Sequence, residues 1–129
     1  MSALPLDEVW RQLAERGDPS PELRSVTEAA LERNARVATV LDLRGLSDVT
    51  DFFVIATGDS DTHARAISEN ILERARDDGF RPVGVEGLST GRWVLMDYVG
   101  LIVHVFLHEV REFYQLERLW GDAPLFELE

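Results

Sequence analysis

The chain of 129 residues contains no cysteine and no lysine; all 13 of its basic residues are arginine. Without cysteine there can be no disulfide, no thiolate metal site, no cysteine nucleophile and no Cys-ligated iron–sulfur cluster. Without lysine, Schiff-base chemistry and the phosphate-binding lysine of a Walker loop are excluded. No apolar run approaches the roughly 20 residues needed for a membrane-spanning helix. The opening MSALPLDEVW also lacks the basic start and apolar stretch of a secretory signal. The expectation is a cytoplasmic protein with no membrane partner. Positive charge is scarce as well: 24 acidic residues against 13 arginines give a formal net charge of −11. Such a chain is repelled by phosphate and shows no arginine cluster, so direct nucleic-acid readout is not expected. Its natural attraction is to a basic protein, in a salt-sensitive association, although solubility alone also accounts for the charge.

What is present fits one globular domain. Hydrophobic residues make up 45% and charged residues 29% of the chain, ordinary values for a chain with a single core. Residues 6 to 16 place Leu6, Val9, Trp10 and Leu13 at helical spacing. Gly17-Asp18-Pro19 ends that helix, and Ser20-Pro21 then supplies an N-cap and a first helical residue for a second helix to about Asn34. The chain is read as an N-terminal extension (1–19), a main domain (20–124) and a short C-terminal tail (125–129).

Within the main domain, Val37 to Leu43 reads as a strand, and Phe52 to Thr57 as a strand buried on both faces. Ala64, Ile67, Ile71 and Ala75 then form one helical stripe that stops at Gly79, and Pro82 to Glu86 is a further short strand. Residues 52 to 86 thus read as a β-α-β unit, with a right-handed crossover if its strands are parallel. Arg92 to Asp97 and Leu101 to Phe106 make an antiparallel hairpin across Tyr98-Val99-Gly100. Alternation puts Trp93, Leu95 and Asp97 on one face of the first arm, and Ile102, His104 and Phe106 on one face of the second. A last helix is expected from about Glu109 to Leu119. The fold class is α/β: a mixed sheet of about five strands flanked by helices.

Four clusters invite chemical readings. Gly58-Asp59-Ser60-Asp61-Thr62 sits where hydrolases carry a G-x-S-x-G elbow, but Thr62 replaces the second glycine and two aspartates would oppose an oxyanion. Ser60 is better read as a helix cap, sharing that role with Asp59. The same turn is like the Gly-Ser loop of nucleotidyltransferases, whose Mg²⁺ needs converging carboxylates; Asp42, Glu86 and Asp97 each lack an alternating partner. His104, His108 and Glu109 do not follow the H-E-x-x-H pattern, since His104 lies on a strand and His108 near a helix start. No catalytic residue, metal or cofactor is expected. Trp93, Tyr98, Phe113, Tyr114 and Trp120, with Arg92, Arg111 and Arg118 nearby, fit either a core or a protein–protein anchor.

Several ordered blocks resemble a known family. Asp48-Val49-Thr50-Asp51-Phe52-Phe53-Val54-Ile55-Ala56-Thr57-Gly58 is similar to its T-D-x-F-V-I-A-T-G motif, and Ala66-Ile67 fall where it has a matching pair. Val85-Glu86-Gly87 and Arg92-Trp93-Val94-Leu95-Met96-Asp97-Tyr98 resemble its V-E-G and W-x-L-x-D-Y blocks. Val103-His104-Val105-Phe106 and the stretch from Arg111 to Asp122 complete the set, which spans about residues 23 to 124. This is the ribosomal silencing factor family, also called RsfS or Iojap-like; residues 6 to 16 have no counterpart in the resemblance.

The resemblance implies a nucleotidyltransferase-like core without the catalytic carboxylates and a function that is not enzymatic. It implies binding to the large ribosomal subunit through ribosomal protein L-fourteen, and steric exclusion of the small subunit when nutrients are scarce. Organellar relatives imply an alternative role in large-subunit assembly. Trp93, Asp97 and Tyr98 match the block associated with docking, with Arg92 and Glu86 as rim candidates. The expected roles are an apolar anchor for Trp93, a hydrogen-bond acceptor for Asp97 and a mixed contact for Tyr98. An exposed apolar sheet surface would also allow a homodimer of the free protein. The competing enzyme reading uses Asp42, Asp97 and the Gly58 to Ser60 loop with a nucleotide.

Overall fold

Short β-branched and aromatic runs, each bounded by turn residues, assemble into one sheet. A computed structural model describes residues 3–110 and 121–129. Its strands are Ala38–Asp42 (β1), Phe52–Gly58 (β2), Gly84–Glu86 (β3), Trp93–Asp97 (β4), Leu101–Leu107 (β5) and Leu125–Leu128 (β6), in the order β3-β4-β5-β2-β1-β6. β2 and β5 run parallel, and every other neighbouring pair is antiparallel.

The helices are Leu6–Ala14 (α1), Pro21–Glu32 (α2) and Asp61–Asp77 (α3). All three pack on one side of the sheet. Val9 and Leu13 of α1, Leu23 and Val26 of α2, and Ile67 and Ile71 of α3 are fully buried, in one cluster with Val40, Val54, Val94, Val103 and Val105. Each such side chain contributes about 1.5–3 kcal/mol relative to exposure. A smaller cluster of Leu41, Leu43, Ile55, Phe106 and Val110 lies apart from it, with residues of opposite parity along the strands.

Most of the expected elements are present, including the α/β class, the three helices and the hairpin turning at Tyr98 to Gly100, where Tyr98 N–H donates to the Leu101 carbonyl. Among the described residues the sheet has six strands, one more than the five or so expected. The missed strand is the supposed tail: Leu125–Leu128 pairs with β1, Leu41 opposite Leu125 and Ala38 opposite Leu128. A four-residue Leu-Phe-Glu-Leu segment is too short to be read as a strand without the edge that receives it.

The N-terminal segment is no appendage. Val9, Trp10 and Leu13 are part of the main core, and Leu4 exchanges backbone hydrogen bonds with Glu127 and Glu129. The β-α-β unit also has a wider span than expected. β2 and β3 point the same way but are separated by β5 and β4, so α3 crosses two intervening strands. Phe53 departs from the strand buried on both faces: it alone in β2 is half-buried. Ser20 sits at the N-cap of α2 ahead of Pro21, but its side chain makes no capping bond. Of the expected last helix, residues 108–110 are helical and residues 111–120 lie outside the described residues, with Phe113, Tyr114, Trp120, Arg111 and Arg118. No helix among the described residues is long and apolar enough to cross a membrane.

Candidate docking face

Pairing across β4, β5 and β2 builds the face opposite the three helices. Trp93 stands opposite Phe106, Leu95 opposite His104, and Asp97 opposite Ile102; on the far side of β5, Phe53 stands opposite Ile102 and Ile55 opposite His104. Directly paired residues share a face, so Trp93, Leu95, Asp97, Ile102, His104, Phe106, Phe53 and Ile55 lie together. Phe106 and Ile55 are buried, whereas Phe53, Trp93, Leu95 and Ile102 are only half-buried. The result is a partly uncovered apolar patch on this face of the sheet.

Its centre is an aromatic cluster around His104. The Trp93 ring lies 4.9 Å from Phe106 and the Phe53 ring meets His104 edge-on at 4.8 Å. Trp93 Nε1 donates to His104 Nδ1 at 3.1 Å. An indole N–H only donates, so His104 must accept at Nδ1 and carry its proton on Nε2. That Nε2 is buried and has no hydrogen-bond partner among the described residues. Burial disfavours the charged imidazolium and pushes the His104 pKa down to about 4. The histidine is therefore a neutral prop beneath Trp93.

The polar candidates occupy different places. Asp97 is half-exposed, and its Oδ1 accepts the Val99 N–H at 2.8 Å, pinning the turn. Glu86 is exposed on β3 opposite Leu95, at the rim of the same face. Arg92 is exposed just before β4, with its carbonyl accepting from Leu107 N–H. Tyr98 is the exception. It is buried within the helix-side core, its hydroxyl without a hydrogen-bond partner among the described residues, and burial pushes its pKa up to about 12. The expected mixed contact at the turn is therefore corrected: the strand's alternation turns Tyr98 away from Trp93 and Asp97. Phe53, read from sequence as part of a strand buried on both faces, is instead half-buried on this face beside Ile102, because the parallel pairing of β2 with β5 brings the two together.

Gly87 holds the β3–β4 connection at a positive φ of 81°, and a Cβ there would lie 2.0 Å from the Trp93 carbonyl oxygen. Only glycine lets the backbone approach Trp93 so closely.

The groups of the nucleotidyl-transfer reading do not converge. Asp42 pairs with Phe52 at one end of β2, and Gly58 ends the same strand six residues on, about 20 Å away at strand rise. Asp97, opposite Ile102, also lies at the Phe52 end. The fully buried Asp42 carboxylate accepts from Arg16 Nε at 2.9 Å, from Arg44 Nη2 at 2.9 Å and from Arg44 N–H at 3.1 Å. Burial would raise its pKa, but these hydrogen bonds outweigh that and hold it below the usual value. Ser60 Oγ accepts from His63 N–H at 3.0 Å and so caps α3, while Asp59 pairs with Arg36 instead of capping. His104 lies in the middle of β5 and His108 is the first helical residue after the strand, with His104 Nδ1 already engaged by Trp93.

The family model described as ribosomal silencing factor during starvation matches residues 17–129. The chain is 39% identical over 107 residues to the ribosomal silencing factor RsfS of Bacillus subtilis, covering 83% of this chain and 91% of that protein. It is 32% identical over 94 residues to the mouse mitochondrial assembly of ribosomal large subunit protein 1, covering 69% of this chain and 40% of that one. A crystal structure of a Chromobacterium violaceum protein superposes with a TM-score of 0.75 at 32% identity, covering 78% of this chain and 83% of that one. On sequence and fold together, the chain belongs to the ribosomal silencing factor family.

Proposed function

We propose that this protein docks on the large ribosomal subunit through the sheet face of Trp93 and prevents the small subunit from joining. The observation that carries the reading is the half-buried patch of Phe53, Trp93, Leu95 and Ile102, edged by Asp97 and Glu86, in a chain of net charge −11. An apolar centre with an acidic rim suits a basic protein surface, and ribosomal protein L-fourteen is the partner the family resemblance implies. Trp93 is the anchor, held by His104; Asp97 and Glu86 face the partner's cations, with Arg92 at the margin. Inhibition is steric: two bound states that occupy the same volume exclude each other.

The protein acts in the cytoplasm and is not an enzyme; the engagement of Asp42 by two arginines and the wide separation of the Gly58 loop from Asp97 argue against nucleotidyl transfer. In isolation the same face can pair with a second copy, a homodimer that the ribosomal partner replaces. A role in large-subunit assembly is the second reading, favoured by the mouse relative named for that process.

Co-sedimentation with isolated large subunits, followed by addition of small subunits, tests the reading. Binding together with loss of joined ribosomes is expected. Trp93→Ala should weaken large-subunit binding about 30-fold, the effect of losing a central aromatic anchor. Binding that leaves subunit joining intact would favour the assembly role. Heat on titration with nucleotide and Mg²⁺ would favour an enzyme.

A further inference from the structure

Three large apolar side chains that the fold leaves well exposed gather at one end of the sheet. Val49, Val83 and Val99 are 77%, 71% and 62% exposed. They lie where β1 and β4 finish and β2, β3 and β5 begin, and the backbone stitches them together. Val83 N–H donates to the Asp97 carbonyl at 2.7 Å, and Asp51 N–H, two residues from Val49, donates to the Gly100 carbonyl at 3.1 Å. This end adjoins the row Phe53, Ile102 and Asp97 of the docking face.

Val99 is the telling residue. Its φ of +73° is one that β-branched side chains rarely adopt, and Gly100 N–H donates back to the Tyr98 carbonyl at 3.0 Å to close a three-residue turn around it. Neither packing nor backbone geometry favours valine here. An exposed apolar side chain in a strained turn points to use outside the fold. The charges nearby indicate what kind of partner. Asp48 and Asp51 are exposed, while Arg44 of the same loop is turned inward onto Asp42 and the Gly17 carbonyl. Arg81, two residues before Val83, is also exposed, and Arg44 interacts electrostatically with Asp51. With Asp48, Asp51 and the half-exposed Asp97 the carboxylates still outnumber the exposed cations, which suits a basic protein surface with apolar side chains of its own.

We propose that the large-subunit footprint continues from the sheet face over this end, with Val99 and Val49 as apolar contacts and Asp48 and Asp51 facing basic groups. The inference rests on the docking reading above and extends it. Its test compares Val99→Gly, Val49→Ser and Trp93→Ala in co-sedimentation with purified large subunits, alongside thermal unfolding. Val99→Gly accommodates the positive φ, so its melting point should not fall, while each valine variant should bind about fivefold more weakly. If both bind like the unmodified protein while Trp93→Ala does not, the end lies outside the footprint and the proposal fails alone. If the unmodified protein does not bind large subunits, the docking reading fails and takes this proposal with it. A homodimer lost in Val99→Gly with large-subunit binding unchanged would give the end to a second copy, and would also overturn it.

Discussion

Trp93 and His104, on neighbouring strands but one pair out of register, are joined by a 3.1 Å hydrogen bond from the indole Nε1 to the imidazole Nδ1. That bond fixes the tautomer of a buried histidine and the tilt of a half-buried tryptophan. The bond helps to hold a half-buried aromatic side chain in one orientation for docking, which lowers the entropy lost on binding.

The relationship makes stability depend on pH. His104 has a pKa of about 4 in the fold against an ordinary 6.5, so below 6.5 the unfolded chain takes up a proton that the folded one refuses. The stability tied to this group is whole above pH 6.5 and falls as pH drops towards about 4, by on the order of 3 kcal/mol across the window. His104→Gln keeps an acceptor for Trp93 and does not titrate. Urea unfolding from pH 7.5 to 4 should show the slope flattened in that variant; an unchanged slope would assign the dependence elsewhere.

Tyr98→Phe removes a buried hydroxyl that has no partner among the described residues. The substitution should leave stability unchanged or raise it by about 1 kcal/mol, since no hydrogen bond is lost and a desolvated polar atom is deleted. Large-subunit binding should be untouched, because the side chain lies on the helix side of the sheet. Weakened binding by a fully stable Tyr98→Phe protein would put the hydroxyl back among the docking groups.

Asp42→Asn should be costly. It leaves Arg44 and Arg16 facing a neutral amide at a fully buried position. Losing one partner of such a cluster costs about 3 kcal/mol, tempered by the partial exposure of Arg16. The carboxylate's contribution persists above its ordinary pKa of 3.8 and is lost only as pH falls through its lower folded value, a window below that of His104. Chemical denaturation at pH 7 and pH 3 separates the two: the gap between the proteins should be wide at pH 7 and narrow on acidification.

Leu13→Ala tests whether the first helix belongs to the core. Leu13 is fully buried, and its carbonyl accepts from Arg44 Nη2 at 3.2 Å. A loss of about 2–5 kcal/mol is expected for this truncation. A variant as stable as the original, by guanidinium unfolding, would mean that α1 is dispensable packing.

The sequence by itself determined the elements and the parity of their side chains. β-branched runs, Gly79, the Ser60 cap and the helical stripe of α3 are local signals, carried by backbone propensity and by hydrogen bonds a few residues long. They sufficed for the α/β class, the hairpin and the shared face of Trp93, Leu95 and Asp97. Tertiary structure alone decided what lies beside what. Leu125–Leu128 becomes a strand because β1 offers it an edge, and α1 joins the core because Asp42 and Arg44 anchor its end. Tyr98 is withdrawn from the surface, Phe53 is left on it, and His104 comes under Trp93 because cross-strand register, helix cover and burial are long-range properties. They depend on which neighbour arrives, and no short stretch of chain encodes its neighbour.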